Sequence, residues 1–397
     1  MSLKSNLTKL QSKLNDEDID ILIINRTDEF LNEYISPYAE RLNFITNFSG
    51  SAGRAIIFRD KAFLYVDGRY TFQAKEQTNS KEIQLKHLQS FWEDFKIYTS
   101  EEKYRIAIDS KLHSIKEIKK IQNILENTAS YIIFLNSNII DSIWINKPKI
   151  EYSNIFDHPI KFAGKDRIKK LEKCDKFLKK ENVDHYLISG LDNIAWLLNI
   201  RADDILYTPL VYSYLLISKN NKPSLYINQN KINNQLMREI KKIINIYSIE
   251  KVDNIFSKIK YNETVGFDFS NTSYYFLNLV EKNNIKYMYI KNPCILWKAV
   301  KNKVEQDGAF ASNLRDGVSI TRFIYWLKNE MDINSTNEIS AANYLKTLRI
   351  NNNFFHSLSF DTISAFGKNA ALPHYRVNKL SNTDFKMNNI YLVDSGA

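Results

Sequence analysis

The sequence has 397 residues, of which 44% are hydrophobic, 25% charged and 13% aromatic. That composition supports several packed cores and excludes a globally disordered chain. Fifty-five basic residues against 45 acidic ones give a net charge of +10. The lysines are nevertheless dispersed, and no basic block alternates with aromatic residues, which argues against a nucleic-acid partner.

Cys174 and Cys294 are the only cysteines. Two in a chain of this length imply neither a disulfide framework nor a zinc finger, and they suit a reducing compartment. The opening Met-Ser-Leu-Lys-Ser-Asn-Leu lacks an apolar core of signal-peptide length, and no apolar run reaches the length of a membrane span. The expectation is a cytoplasmic protein with no membrane partner.

In chain order, Leu7, Leu10 and Leu14 space as one helical face over residues 6–18, followed by a buried-strand run, Ile21 to Ile24. Phe44 to Phe48 and a turn at Gly50 to Gly53 precede a hairpin. Its strands are Ala55 to Phe58 and Ala62 to Val66, joined by Arg59-Asp60-Lys61. The lysines at 116–120 and 169–180 fall on helical patterns, where lysine is expected to form a solvated face.

The order then repeats. Ile168, Leu171, Phe177 and Leu178 share a helical face, the strand run Tyr186 to Ile188 follows, and Trp196 to Ile200 echoes Phe44 to Phe48. A second hairpin runs from Tyr214 to Ile217, through Lys219 to Pro223, to Leu225 to Ile227. The simplest reading is two tandem α/β units meeting between Asn146 and Lys165; two ordinary units alike by chance is the other. The second unit is expected to close near Trp297 to Lys303, after a strand at Tyr287 to Ile290.

From Val304 the pattern changes. Ala311, Leu314, Val318, Phe323 and Leu327 predict a long helix, and Glu338 to Leu348 a second. Leu358 and Phe360, Thr362 to Phe366, and Ile390 to Val393 read as strands. The last of these delivers Asp394 at a strand end. A carboxylate there needs compensation, which either a divalent metal or a turn's backbone N–H groups supply. His374 follows Ala371-Leu372-Pro373 and stands twenty residues before Asp394. By itself a lone histidine beside a tyrosine is more often a packed or surface residue than a catalytic one. No P-loop, G-x-G-x-x-G or H-E-x-x-H occurs, and Gly50-Ser51-Ala52-Gly53 lacks nucleophile-elbow spacing.

Ordered segments along nearly the whole chain resemble the Xaa-Pro aminopeptidases of the creatinase and methionine-aminopeptidase superfamily, in their three-domain form. They include Tyr65-Val66-Asp67-Gly68-Arg69-Tyr70, Ser189 to Arg201, Arg315-Asp316-Gly317, Glu338 to Ala342, Ser359 to Ser364, the His374 segment and Leu392 to Gly396. The resemblance implies an α/β chain. Two creatinase-type N-terminal domains, at 1–155 and 156–302, would be followed at 303–397 by an incomplete α+β "pita-bread" metallopeptidase domain. It implies removal of the first residue from peptides with proline second. Two divalent ions, commonly manganese, would be held by two Asp, one His and two Glu. Carried over, Asp394 corresponds to the first metal ligand, and His374 to the histidine that hydrogen-bonds the bound peptide.

Lys368 stands where the family often has proline, and Ala202 where it often has glycine. The second Asp ligand is expected eleven residues beyond Asp394, and the other three later still. The expectation is therefore a C-terminally truncated hydrolase, inactive alone, which full length would make a dimer. A non-catalytic peptide-binding relative is the alternative, and prolidase or creatinase chemistry a lesser one. Residues 303–397 are expected to expose helix faces and to leave the strand at 390–393 unpartnered.

Overall fold

The computed structural model describes residues 5–397. Ser5 caps the first helix, Asn6–Asp16, accepting from the Thr8 N–H at 3.2 Å, and Leu7, Leu10 and Leu14 are buried as their spacing requires. The next strands are β1 (Ile21–Asn25), β2 (Arg54–Phe58), β3 (Ala62–Val66), β4 (Gln84–His87), β5 (Arg105–Ile108) and β6 (Tyr131–Phe134). They form one sheet in the order β4-β3-β2-β1-β5-β6. β2 runs antiparallel to both neighbours, and every other pairing is parallel.

β7 (Phe156–Asp157) pairs with β9 (Ile200–Arg201) outside the main sheets. β8 (His185–Ile188), β10 (Ser213–Ser218), β11 (Ser224–Ile227), β12 (Asn245–Ser248), β13 (Thr264–Phe267) and β14 (Lys286–Tyr289) then form a second sheet. Its order is β12-β11-β10-β8-β13-β14, with the same pattern of directions as the first. The echo between the helices Arg41–Thr46 and Leu191–Leu198 has a physical cause. Each ends on an asparagine in the left-handed conformation, Asn47 at φ +62° and Asn199 at φ +51°. Asparagine adopts that conformation most readily after glycine.

The two units share a core. Phe30 stacks on Tyr212 and Tyr214 at 5.0 and 4.8 Å, within one apolar cluster drawn from both sheets. Main-chain bonds cross the same boundary: the Ile115 N–H donates to Thr272 O and the Tyr274 N–H to His113 O, both at 2.9 Å. The lysine-rich helix Arg167–Glu181 is not solvated throughout. Lys170 is buried, and its Nζ donates to Trp196 O and Asn199 Oδ1 at 2.7 Å each, 4.2 Å from the Trp196 ring. Burial lowers its ammonium to about 8. Cys174 and Cys294 are free and buried.

Asn302 and Glu305 form a capping box at the start of the long helix Lys303–Asn329, which packs on Glu338–Ile350. Buried Arg349 ties the two through a bidentate pair with Asp316, at 2.7 and 3.0 Å. The strand expected at Leu358 and Phe360 does not form. Phe354 turns the chain at φ +64°, and the Ser359 N–H is taken by Gly396 O. The strand at the chain's far end is not unpartnered, as the sequence suggested. β15 (Ile363–Phe366) pairs antiparallel with β16 (Tyr391–Asp394), Ile363 facing Asp394. Tyr391 and Val393 join the local apolar cluster, whereas Leu392 and Asp394 are exposed. Asp394 is thus not buried by its strand.

Phe310, Leu314 and Val318 form the expected exposed apolar stripe on the long helix. Among the described residues no helix is long and apolar enough to cross a membrane.

Limited proteolysis of the 397-residue polypeptide is expected to leave a resistant core of about residues 1–300 and to digest the remainder quickly. Equal resistance through Ala397 would contradict this.

Candidate active site

A cleft of about 570 Å³ lies where the three regions meet. The first unit supplies Arg69 and the helix Thr71–Gln77; the second supplies Tyr207. The third supplies Lys346, Asp361 and the segment from Leu372 to Ser381. His374 lines this cleft and Asp394 does not.

The His374 ring stacks on Tyr70, with centroids 5.1 Å apart and planes at 19°. Arg69 Nη1 is 3.3 Å from His374 Nε2. A guanidinium offers only donors, so Nε2 enters this contact only as an acceptor. Asp67 aims the guanidinium, accepting from Arg69 Nη2 at 2.7 Å and Nε at 3.0 Å. Those bonds hold the Asp67 carboxyl below the usual carboxylate range. Ser51, in the glycine-rich turn, braces the same wall through a 2.7 Å hydroxyl contact with Tyr70. The turn is tight: a Cβ on Gly50 would meet the Phe48 ring at 2.2 Å. Ser51 is therefore a support and not a nucleophile.

On the other wall, Tyr207 sits at φ +66° and donates its hydroxyl to Asp361. Burial pushes its phenol up to about 12. Arg376 lies 3.8 Å from the same carboxylate. A left-handed tyrosine is a strained conformation held by its surroundings, here at a junction of two regions.

The His374 segment is fixed from behind by Glu338. This carboxylate has no solvent exposure, and among the described residues no cation lies within 4.0 Å of it. Four donors converge on it instead. Oε1 accepts from the Phe366 N–H at 2.6 Å and Asn369 Nδ2 at 3.0 Å; Oε2 accepts from Tyr375 Oη at 2.8 Å and the Thr383 N–H at 3.0 Å. Tyr375 immediately follows His374, so the network sets where the imidazole emerges.

Among the described residues no group of three or more His, Cys, Asp or Glu stands together as a metal site. Exposed Asp394 is a single carboxylate, and by themselves these residues do not fit a two-metal centre.

Of the two residues singled out from the sequence, the structure brings His374 into a cleft and leaves Asp394 outside it. Arg69, Tyr70, Tyr207, Asp361 and Glu338 gain roles that spacing does not show. Arg69, Tyr70, Asp361 and Glu338 lie in the segments that carried the family resemblance, which marked the segments but not these side chains' roles; Tyr207 lies outside them.

Two stretches, residues 6–136 and 146–305, match Creatinase/Prolidase N-terminal domain families, and residues 311–397 match Metallopeptidase family M24. A "Probable Xaa-Pro aminopeptidase P" of Coccidioides posadasii is 31% identical over 98% of this chain, and one of Neosartorya fischeri is 32% identical over 98%. The chain is thus similar along nearly its whole length to proteins called aminopeptidase P, with the M24 match lying in residues 311–397. It spans 62% of the length of each of these two relatives. The X-prolyl aminopeptidase of Caenorhabditis elegans, described as a cytosolic enzyme with a di-nuclear active site, superposes with a TM-score of 0.91 at 26% identity. That match covers 99% of this chain and 68% of the other. The two matches agree with the duplicated sheet topology: the two units match two models of one domain type.

Glu338→Gln is isosteric but replaces one accepting oxygen with an NH2 donor, which opposes at least one N–H that the carboxylate satisfies. It is expected to cost on the order of 3 kcal/mol and to raise hydrogen exchange across residues 363–383. Protection in both main sheets should be unchanged. Wild-type protection at 363–383 in the variant would refute the role assigned to this carboxylate.

Proposed function

We propose that the full-length protein is a metal-dependent aminopeptidase that releases the first residue from peptides with proline second. The 397 residues would supply its two N-terminal domains, at 1–155 and 156–302, and the first part of its catalytic domain, at 303–397. The observation that carries this reading is His374, stacked on Tyr70 and met by Arg69 in a cleft where all three regions converge. It stands in a chain at 31–32% identity to proteins called aminopeptidase P.

In this reading His374 hydrogen-bonds the bound peptide and steadies charge that develops on its carbonyl. Arg69, held by Asp67, keeps the imidazole oriented until peptide binds. Asp394 is assigned as one ligand of two divalent ions, for which manganese is our choice because the family's ligand set is oxygen-rich. The free buried cysteines, and the relative described as cytosolic, support a cytoplasmic location. A homodimer of the full-length protein belongs to the same proposal. The second reading, peptide binding without cleavage, is favoured for the isolated stretch by its lack of a metal cluster among the described residues.

Two assays separate these readings. In the full-length protein, His374→Gln should lower kcat/KM for an Xaa-Pro peptide by about 10²–10³-fold with metal content unchanged. A polypeptide of the 397 residues alone should release no first residue with manganese present. Full activity of the His374 variant, or manganese-dependent cleavage by the 397 residues, would overturn the assignment.

A further inference from the structure

The second sheet ends on β14, whose outer edge has no neighbouring strand among the described residues. Beside it an open groove of about 950 Å³ runs between the helix Arg167–Glu181, the end of β14 and the helix Pro293–Ala299. Its floor is apolar: Met288, Ile295 and Leu296 are exposed there, Leu296 by 67%, next to Phe177 and Trp297. Contiguous exposed apolar surface of this kind marks a contact site more often than scattered single residues do.

The rim is basic. Lys173, Lys176, Lys180 and Lys291 line the groove. Lys173 Nζ sits 4.3 Å from the Trp297 ring, and burial lowers its ammonium. Among the described residues only Lys180 of the four has a carboxylate within 4.0 Å, Glu181 at 3.9 Å. Asp268, the other acid at the groove, is occupied by the N–H groups of Ser270, Asn271 and Asn292 at 2.8–3.0 Å.

These observations select the occupant. Four lysines around one groove, in a chain of net charge +10, oppose a second copy presenting the same face. An open strand edge accepts an extended segment through main-chain hydrogen bonds, and an apolar floor under a cationic rim selects its side chains. The geometry points to a docking site for an extended acidic segment of another protein, in which carboxylates alternate with aliphatic side chains. The period of two then sets aliphatic groups on the Met288–Leu296 floor and leaves carboxylates to the lysines. The site is separate from the His374 cleft and does not depend on peptidase activity.

The test is fluorescence anisotropy with the 397-residue chain. The probe is a labelled eight-residue peptide alternating glutamate with leucine, and the control has lysine in place of glutamate. Saturable binding of the acidic probe is expected, weakening at least tenfold in Lys176→Glu/Lys291→Glu, a variant of two exposed positions whose thermal unfolding should match wild type. Leu296→Ser should weaken it as well, and raising salt should weaken the wild type but not what remains in the double variant. No saturable binding, equal binding of the control, or less than a twofold change in the double variant would overturn the proposal. So would a concentration-dependent dimer that Lys176→Glu disrupts, since the groove would then be an interface between copies.

Discussion

A buried carboxylate, with no counter-cation among the described residues, organises the third region. Glu338 lies at the start of the helix Glu338–Ile350, and its two oxygens draw in donors from Phe366, Asn369, Tyr375 and Thr383. Isolated charge in a protein interior is costly, so the four segments that supply these donors are held together or the charge is left unmet. Because one donor is the neighbour of His374, the same constraint places the imidazole. Asn369 is shared further, with Tyr375 Oη and Ser381 O, which closes the loop behind the cleft.

The opposite wall of the cleft depends on a different force. Arg69 and Tyr70 belong to the first unit, and they reach His374 only because the two units are fused through Phe30, Tyr212 and Tyr214 and through main-chain bonds at Ile115 and Tyr274. Tyr214 Oη also donates to Glu29 O at 3.1 Å, and the Ser36 hydroxyl to Asp204 O at 3.0 Å. An apolar interface edged with such bonds is rigid in the way that independent, linker-joined domains are not. The cleft is thus assembled from parts more than 300 residues apart in sequence, Arg69 and His374. A sheet duplicated within the chain provides the scaffold.

Much of the scaffold was legible in the sequence because period and punctuation determine it locally. The helix at Asn6, the hairpin strands 54–58 and 62–66, and the second hairpin follow from apolar spacing and turn residues. The repeat showed itself through matched segments, Phe44 to Phe48 and Trp196 to Ile200, each holding the asparagine that ends a helix. The Leu358–Phe360 strand was misread because alternation says nothing of the left-handed turn at Phe354 that precedes it. Asp394 was read as needing compensation at its strand end, whereas in a two-stranded ladder only alternate residues face the core and its carboxylate is exposed. Lys170 looked like part of a solvated run, and its burial is set by Trp196 and Asn199, far along the chain. The site was legible only in part. His374 carried a family motif, but Arg69, Tyr207 and Glu338 act through tertiary contacts that no spacing encodes.

The central claim is that His374 and Arg69, from opposite ends of the chain, form one working contact. A double-mutant cycle on kcat/KM of the full-length protein, with Arg69→Ala, His374→Gln and the double variant, tests it most directly. The account predicts strong coupling, the double variant losing little more than the more damaging single change. Losses that add independently, as for residues that do not touch, would contradict it.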